Sequence, residues 1–199
     1  MDNIARFRNF IQRFTTLIDE SADNEELILK NGKVLLTGLI ENDDWLPDQF
    51  AVPDAERYQQ YLLFCDPMER FSVVSFVWGP GQKTPVHDHT VWGMVGVMRG
   101  SEICEEFSFE PESRSLVASG SHQIAVGGID LVSPRIGDIH RVSNALADNP
   151  SVSIHIYGAN IGAVSRHVYE LPSGSSSTFI SGYSNTVVPN LWDRSMATS

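Results

Sequence analysis

His87 and His89, in Pro85-Val86-His87-Asp88-His89, are the first residues of this sequence whose types and spacing can do chemistry. In an extended segment, side chains two apart leave the backbone on one side, so both imidazoles can reach a single metal ion. The pair alone says little, because the chain holds 6 histidines in 199 residues. A second row stands at Ser153-Ile154-His155-Ile156-Tyr157, where Ser153, His155 and Tyr157 alternate with apolar residues and share one strand face. That row has two readings. It is the exposed polar face of a strand, or a hydrogen-bonded relay in which His155 fixes the Tyr157 hydroxyl for donation to oxygen or a substrate carboxylate.

The flanks of the histidine pair sharpen its meaning. Gly81 stands six positions before His87 and Gly100 thirteen after it, which resembles the first motif of the cupins. Gly128, Pro134, Gly137, His140 and Asn144 resemble the second motif, with one extra residue between the Pro and the Gly. The resemblance implies a third ligand, His140, from an adjacent strand. Many cupins add a glutamate four or five residues after the second histidine, where this sequence has Gly93 and Met94. Without that carboxylate, three neutral imidazoles leave a divalent ion its full double charge. Such a site favours an anionic donor brought by the substrate, and a thiol bound there loses its proton.

Strands are needed to hold these residues. Phe71–Trp78, Val91–Met98, Ser101–Phe109, Gln123–Val126, Ile129–Ser133 and Ser151–Tyr157 are rich in β-branched and aromatic residues and are separated by turn formers. Short strands at this density predict a mainly β fold, a cupin double-stranded β-helix or jelly-roll barrel. Ahead of them, Ile4, Phe7, Phe10, Ile11, Phe14, Leu17 and Ile18 recur at helical spacing. A second helical stretch near Glu25–Glu41 is expected to break at Gly32 and Gly38. The expected organisation is one cupin domain over 1–199. Residues 1–45 form a helical cover, 58–170 the barrel core, and 171–199 an extension that packs back after a flexible Pro172–Ser177 connector.

Composition narrows the function classes. Fourteen Lys plus Arg against 25 Asp plus Glu give a net charge of −11, which repels phosphate backbones and argues against nucleic-acid binding. No run approaches the ~20 apolar residues of a membrane span, and no secretory signal opens the chain. Two cysteines, Cys65 and Cys104, form no disulfide framework and read as buried or idle thiols. A cytoplasmic, reduced protein is the expectation, and the sequence carries no signal of oligomeric state. His122 and His167 match no motif and read as surface residues.

Taken together, the modified cupin motifs followed by Ser-x-His-x-Tyr resemble the cysteine dioxygenase family of thiol dioxygenases, from about Tyr58 to Tyr157 and less distinctly to the end. The resemblance implies one Fe(II) per chain on His87, His89 and His140, with Tyr157, His155 and Ser153 beside it. It further implies a small thiol and O2 as reactants and a sulfinic acid as product. Mammalian-type members carry a Cys at the position of Gly93, crosslinked to the tyrosine, and an Arg in a Tyr-x-Arg motif that holds the substrate carboxylate. Here the matching stretch is Tyr58-Gln59-Gln60. The Gln60 form resembles the bacterial 3-mercaptopropionate dioxygenases, in which an Arg matching Arg166 lies near the carboxylate; taken without the resemblance, Arg166 reads as a surface cation. Conversion of 3-mercaptopropionate to 3-sulfinopropionate is therefore expected, with L-cysteine to cysteine sulfinate as the alternative. A non-catalytic metal-binding cupin sensor, and a cupin isomerase or decarboxylase using Mn or Zn, stand as readings of other classes.

Overall fold

Six apolar residues at spacings of three and four bury one face of α1 (Ile4–Ser21) in a computed structural model that describes residues 3–194. Helix α2 (Glu25–Ile40) starts at Asn24, whose side chain accepts from the Leu27 backbone N–H at 3.1 Å, and carries Glu25 and Glu26 in its positive first turn. The expected breaks at Gly32 and Gly38 do not occur; the helix runs through both. At Gly32 the reason is space: a Cβ there would collide with the end of Met94 and crowd Phe14 at 3.1 Å. Missing side-chain volume lets α2 lie close on α1 and the sheet. Gly38 has nothing within 4 Å and is simply tolerated.

Eleven strands follow among the described residues: β1 (Gln59–Cys65), β2 (Ser72–Trp78), β3 (Val86–His87), β4 (Gly93–Arg99), β5 (Ser101–Phe109), β6 (Leu116–Ala125), β7 (Ile129–Val132), β8 (His140–Asn144), β9 (Ser151–Tyr157), β10 (Arg166–Tyr169) and β11 (Ser176–Phe179). They form a five-stranded sheet, β1-β2-β9-β4-β7, and a six-stranded sheet, β11-β10-β3-β8-β5-β6, with antiparallel pairing throughout. This is the cupin double-stranded β-helix with helices at its N-terminus. Strand β6 is longer than its apolar stretch at 123–126 suggests, because its outer half is polar and solvent-facing. The stretch read as a connector ends in β11, which pairs with β10. Beyond it, Asn185 and Leu191 of the C-terminal segment make contact with the rest of the chain, while Trp192 is exposed. The Asn185 side chain brackets Leu62, accepting from its N–H at 2.8 Å and donating to its carbonyl at 2.9 Å, and Leu191 is buried. The last five residues of the expected extension, like the first two of the helical cover, lie outside the described ones.

Alternation then sorts the residues of β2 and β9 between two cores. Val73 and Val77, with Val152, Ile154 and Ile156, join the cluster under the helices. Val74, Phe76, Trp78 and Tyr157 join a second cluster between the sheets. Both faces of β9 are buried, so the reading of its polar row as an exposed face is overturned. The helical cover is the cause: it claims the apolar face, and Ser153, His155 and Tyr157 are left pointing into the barrel. No described helix is long and apolar enough to cross a membrane.

Because Gly38 is helical, exposed and uncrowded, Gly38→Ala is expected to stabilise the fold by about 0.4–1 kcal/mol, chiefly by reducing the freedom of the unfolded chain. A urea denaturation midpoint that stays put or falls would contradict this account of the position.

Candidate metal centre

Strand pairing brings the three histidines together. His87 sits opposite His140 where β3 meets β8, and His89 follows just past the end of β3. Their ring centroids are 4.8–4.9 Å apart in each pair, and one donor atom from each falls within 4.8 Å of the others. Each ring is anchored through Nδ1. His87 Nδ1–H donates to the Pro85 carbonyl at 3.1 Å, and His89 Nδ1–H to Asp138 at 2.8 Å. His140 Nδ1 lies 3.5 Å from the Cys104 sulfur. Anchoring one nitrogen fixes the tautomer and leaves Nε2 with a free lone pair.

Those lone pairs converge on a space without a protein partner. His89 Nε2 is fully buried and makes no hydrogen bond. Burial drives His87 down to about 3 and His140 well below the ordinary histidine range, so both rings are neutral. Three pre-oriented imidazoles, with His87 and His140 held neutral by burial, around an orphaned nitrogen fit a divalent transition metal.

Beside the triad lies the β9 row. Tyr157 stacks on His89 with centroids 5.2 Å apart. His155 Nδ1 meets the Tyr157 hydroxyl at 2.8 Å, and His155 Nε2 meets Ser153 Oγ at 2.8 Å. The Trp78 indole N–H donates to the same Ser153 oxygen at 3.3 Å, and the Phe76 ring stacks on His155 at 4.1 Å. Burial holds His155 neutral and pushes the Tyr157 hydroxyl up, so both stay uncharged.

A cavity of about 280 Å³ opens in front of His87, His140, His155 and Tyr157. Tyr58 and Trp78, tilted against each other with ring centroids 4.8 Å apart, form part of its wall together with Phe76. Arg166 lines it too, and the surface reading of this residue fails: it is 3% exposed. Its Nη2 donates to Ser181 Oγ at 2.6 Å, its guanidinium lies 4.6 Å from the Phe179 ring centre, and its Nε has no partner. Gln60 also lines the cavity, with its amide Nε2 donating to Ser181 Oγ at 3.1 Å and to the Gly182 carbonyl at 2.9 Å. Ser181 thus joins Gln60 to Arg166.

Residues 33–170 match the family described as cysteine dioxygenase type I. The chain belongs to that family. Among solved structures it is similar to an uncharacterized double-stranded β-helix protein from Klebsiella pneumoniae, with 13% identity, 69% of this chain and 96% of that chain covered, and a TM-score of 0.47. A cupin 2 conserved barrel protein from Salinispora arenicola gives 16% identity, 58% and 86% coverage, and a TM-score of 0.42. As a cysteine dioxygenase family member, the chain is a cupin enzyme of the thiol dioxygenase type.

Within this cysteine dioxygenase barrel, Gly93 pairs directly with Tyr157 across β4 and β9. A Cβ there would sit 2.8 Å from the Tyr157 ring, so glycine makes room for the tyrosine. Cys65 and Cys104 are free thiols, and Cys104 is buried. Cys104, His122 and Asp130 hold donor atoms within 4.8 Å of one another, but His122 and Asp130 already bond each other at 2.6 Å. His122 is exposed, as read from the sequence; His167 is half-buried, its Nδ1–H bonded to Asp88 at 2.8 Å.

Asp138 was invisible in the sequence. Its carboxylate accepts from the backbone N–H groups of His89 at 3.0 Å and Thr90 at 2.9 Å while holding the His89 ring. The only available hint is its place two residues before His140. Asp138→Asn would keep one acceptor for those backbone groups but turn an N–H toward His89 or lose the turn. Metal affinity is expected to fall about 10- to 100-fold, the usual cost of losing a residue that orients a ligand. Competition with a chelator measures it, and unchanged affinity would mean that Asp138 does not set the His89 tautomer.

Proposed function

We propose that this protein is an Fe(II)-dependent thiol dioxygenase, one iron per chain, that converts 3-mercaptopropionate and O2 to 3-sulfinopropionate. Both oxygen atoms go to sulfur, so R–SH plus O2 gives R–SO2H without a further reductant. The observation that carries the substrate assignment is Arg166, a buried cation on the cavity wall with no carboxylate in contact among the described residues.

Iron on His87, His89 and His140 would supply the Lewis acidity that ionises a thiol and the redox capacity that the O2 reaction requires. The chain's residues do the rest. Among the described residues no carboxylate joins the three imidazoles, which leaves the site in need of an anion. Arg166 offers a guanidinium whose Nε is unused, and a carboxylate that accepts from it also replaces the water lost on burial. Gln60 acts through Ser181: its amide fixes the hydroxyl that in turn fixes Arg166. Tyr58, Phe76 and Trp78 make an apolar wall that excludes water from the short carbon chain. Tyr157, held by His155, presents a neutral hydroxyl at the reacting end.

L-Cysteine shares the thiol and carboxylate but adds an ammonium. Among the described residues no Asp or Glu lines the cavity to receive it, so its desolvation has no ionic compensation there. A missing partner of that kind costs a few kcal/mol, or about two orders of magnitude in specificity. Steady-state O2 consumption by the iron-loaded protein is therefore expected to give a larger kcat/KM with 3-mercaptopropionate than with L-cysteine. Arg166→Met, which keeps the apolar stem and removes the fork, is expected to lose about 100-fold on both thiol acids. It should leave any turnover of cysteamine, which lacks the carboxylate, unchanged. A preference for L-cysteine would overturn the substrate while leaving a thiol dioxygenase; no thiol-dependent O2 uptake with iron bound would overturn the reaction.

A further inference from the structure

One buried acid has no part in the reaction as derived so far. Glu102 lies on β5, fully buried, with its side chain turned into the barrel. Ser151 donates to its Oε1 at 3.3 Å, and its Oε2 has no partner. Burial pushes the carboxyl up to about 8, opposed by the nearby Ser153 and Ser151 hydroxyls and the Trp78 indole, Ser153 first among them. An acid that is neutral at pH 7 thus abuts the last member of the Tyr157–His155–Ser153 row.

The hydrogen count of that row allows two fully satisfied arrangements, and Glu102 chooses between them. Ser153 Oγ accepts from Trp78 Nε1 in both. With Glu102 protonated, its O–H donates to Ser153, Ser153 donates to His155 Nε2, and His155 Nδ1–H donates to the Tyr157 oxygen. The Tyr157 hydrogen is then free to point into the cavity. With Glu102 ionised, Ser153 donates to the carboxylate, His155 Nε2–H donates to Ser153, and Nδ1 becomes an acceptor. Tyr157 then spends its only hydrogen on His155 and offers the cavity a lone pair alone. The 2.8 Å contacts at both ends of His155 suit either arrangement. Only the carboxyl changes charge; His155 and Tyr157 stay neutral and simply exchange hydrogen-bond direction.

We propose that Glu102 is a positioning residue at the far end of this row, whose protonation turns the Tyr157 hydroxyl from hydrogen-bond acceptor to donor at the substrate. The inference rests on the thiol dioxygenase reading above, in which Tyr157 faces the reacting groups. The groups around Glu102 support its neutral form. Asp130 on β7 repels a second negative charge, and the Cys104 thiol on β5 is itself kept protonated. The directly paired residues Ile124 on β6 and Asn144 on β8 do not titrate. Ser151 and Ser153 of β9 and Trp78 of β2 are neutral donors.

Sign follows from the mechanism. The donor form of Tyr157 exists below the Glu102 pKa, so kcat is expected to fall as pH rises through about 8. Glu102→Gln carries an amide N–H that donates at every pH, so this fall should vanish while KM and iron content stay near those of the parent. Tyr157→Phe should be slow at all pH values and show no such fall. An alkaline fall of unchanged midpoint in iron-loaded Glu102→Gln overturns the proposal. A second measurement needs neither substrate nor turnover: infrared difference spectra of the metal-loaded protein across the same pH range. A protonated-carboxyl band should be lost near pH 8 and be absent from Glu102→Gln. Its absence from the parent protein at neutral pH overturns the proposal independently of whether the thiol reaction is correct.

Discussion

A polar interior must satisfy every donor and acceptor that it buries, and among the described residues three side-chain atoms are left unsatisfied: His89 Nε2, Glu102 Oε2 and Arg166 Nε. Burying a polar atom without a partner costs about 1–3 kcal/mol, so three such atoms in one interior are expensive unless something meets them. Each lies at a different point of one arrangement. The first faces the space that the three imidazoles enclose, the second belongs to Glu102, which is bonded to Ser151 of β9, and the third belongs to a side chain on the cavity wall. A metal, a mobile proton and a substrate carboxylate are the chemical species that would complete them.

The helical cover makes that interior possible. Antiparallel sheets commonly leave one face to water, and β9 standing alone would turn its serine, histidine and tyrosine outward. Here α1 and α2 take the apolar face of the five-stranded sheet, with Met94 filling the gap that Gly32 leaves. The polar row is forced inward, where low dielectric strengthens each of its hydrogen bonds. Packing far from the cavity therefore decides the chemistry available inside it.

Residues whose partners are close in sequence or fixed by strand period were legible before any coordinates. His87 and His89 share a face by period alone, and the spacing of Gly100 reflects a turn with φ of 75°, a conformation that favours glycine. The same period placed Ser153, His155 and Tyr157 together but not on which side of the sheet, because that depends on the helices. Strand β8 is expected only through the cupin resemblance and β10 has no local signature, since both pair with β3 far along the chain. Strand β11 is a short polar edge strand that pairs with β10 alone. Asp138, Glu102 and Ser181 were missed for a related reason: each acts on a residue more than ten positions away. Arg166 looked like a surface cation because nothing local says that Phe179 and Ser181 close over it.

The same long-range contacts bear on how an acidic protein would hold the acidic thiol proposed for it. A net charge of −11 works against the approach of an anion from solution, so attraction at a distance cannot supply the affinity. Among the described residues the cavity wall contains one guanidinium and no carboxylate, and the surface acids are screened from it by water and salt over about 8–10 Å. Inside, Arg166 is desolvated and its pKa is drawn down by burial, which measures how poorly the site serves the cation until an anion arrives. Recognition is then a local exchange, with the hydration both charges lose offset by the contact they make. That exchange demands a rigid cation, and rigidity comes from the return of the chain after β11, where Ser181 takes hydrogen bonds from Gln60 and Arg166 together. The C-terminal segment thus shapes the proposed binding site through the geometry that Ser181 imposes on Arg166.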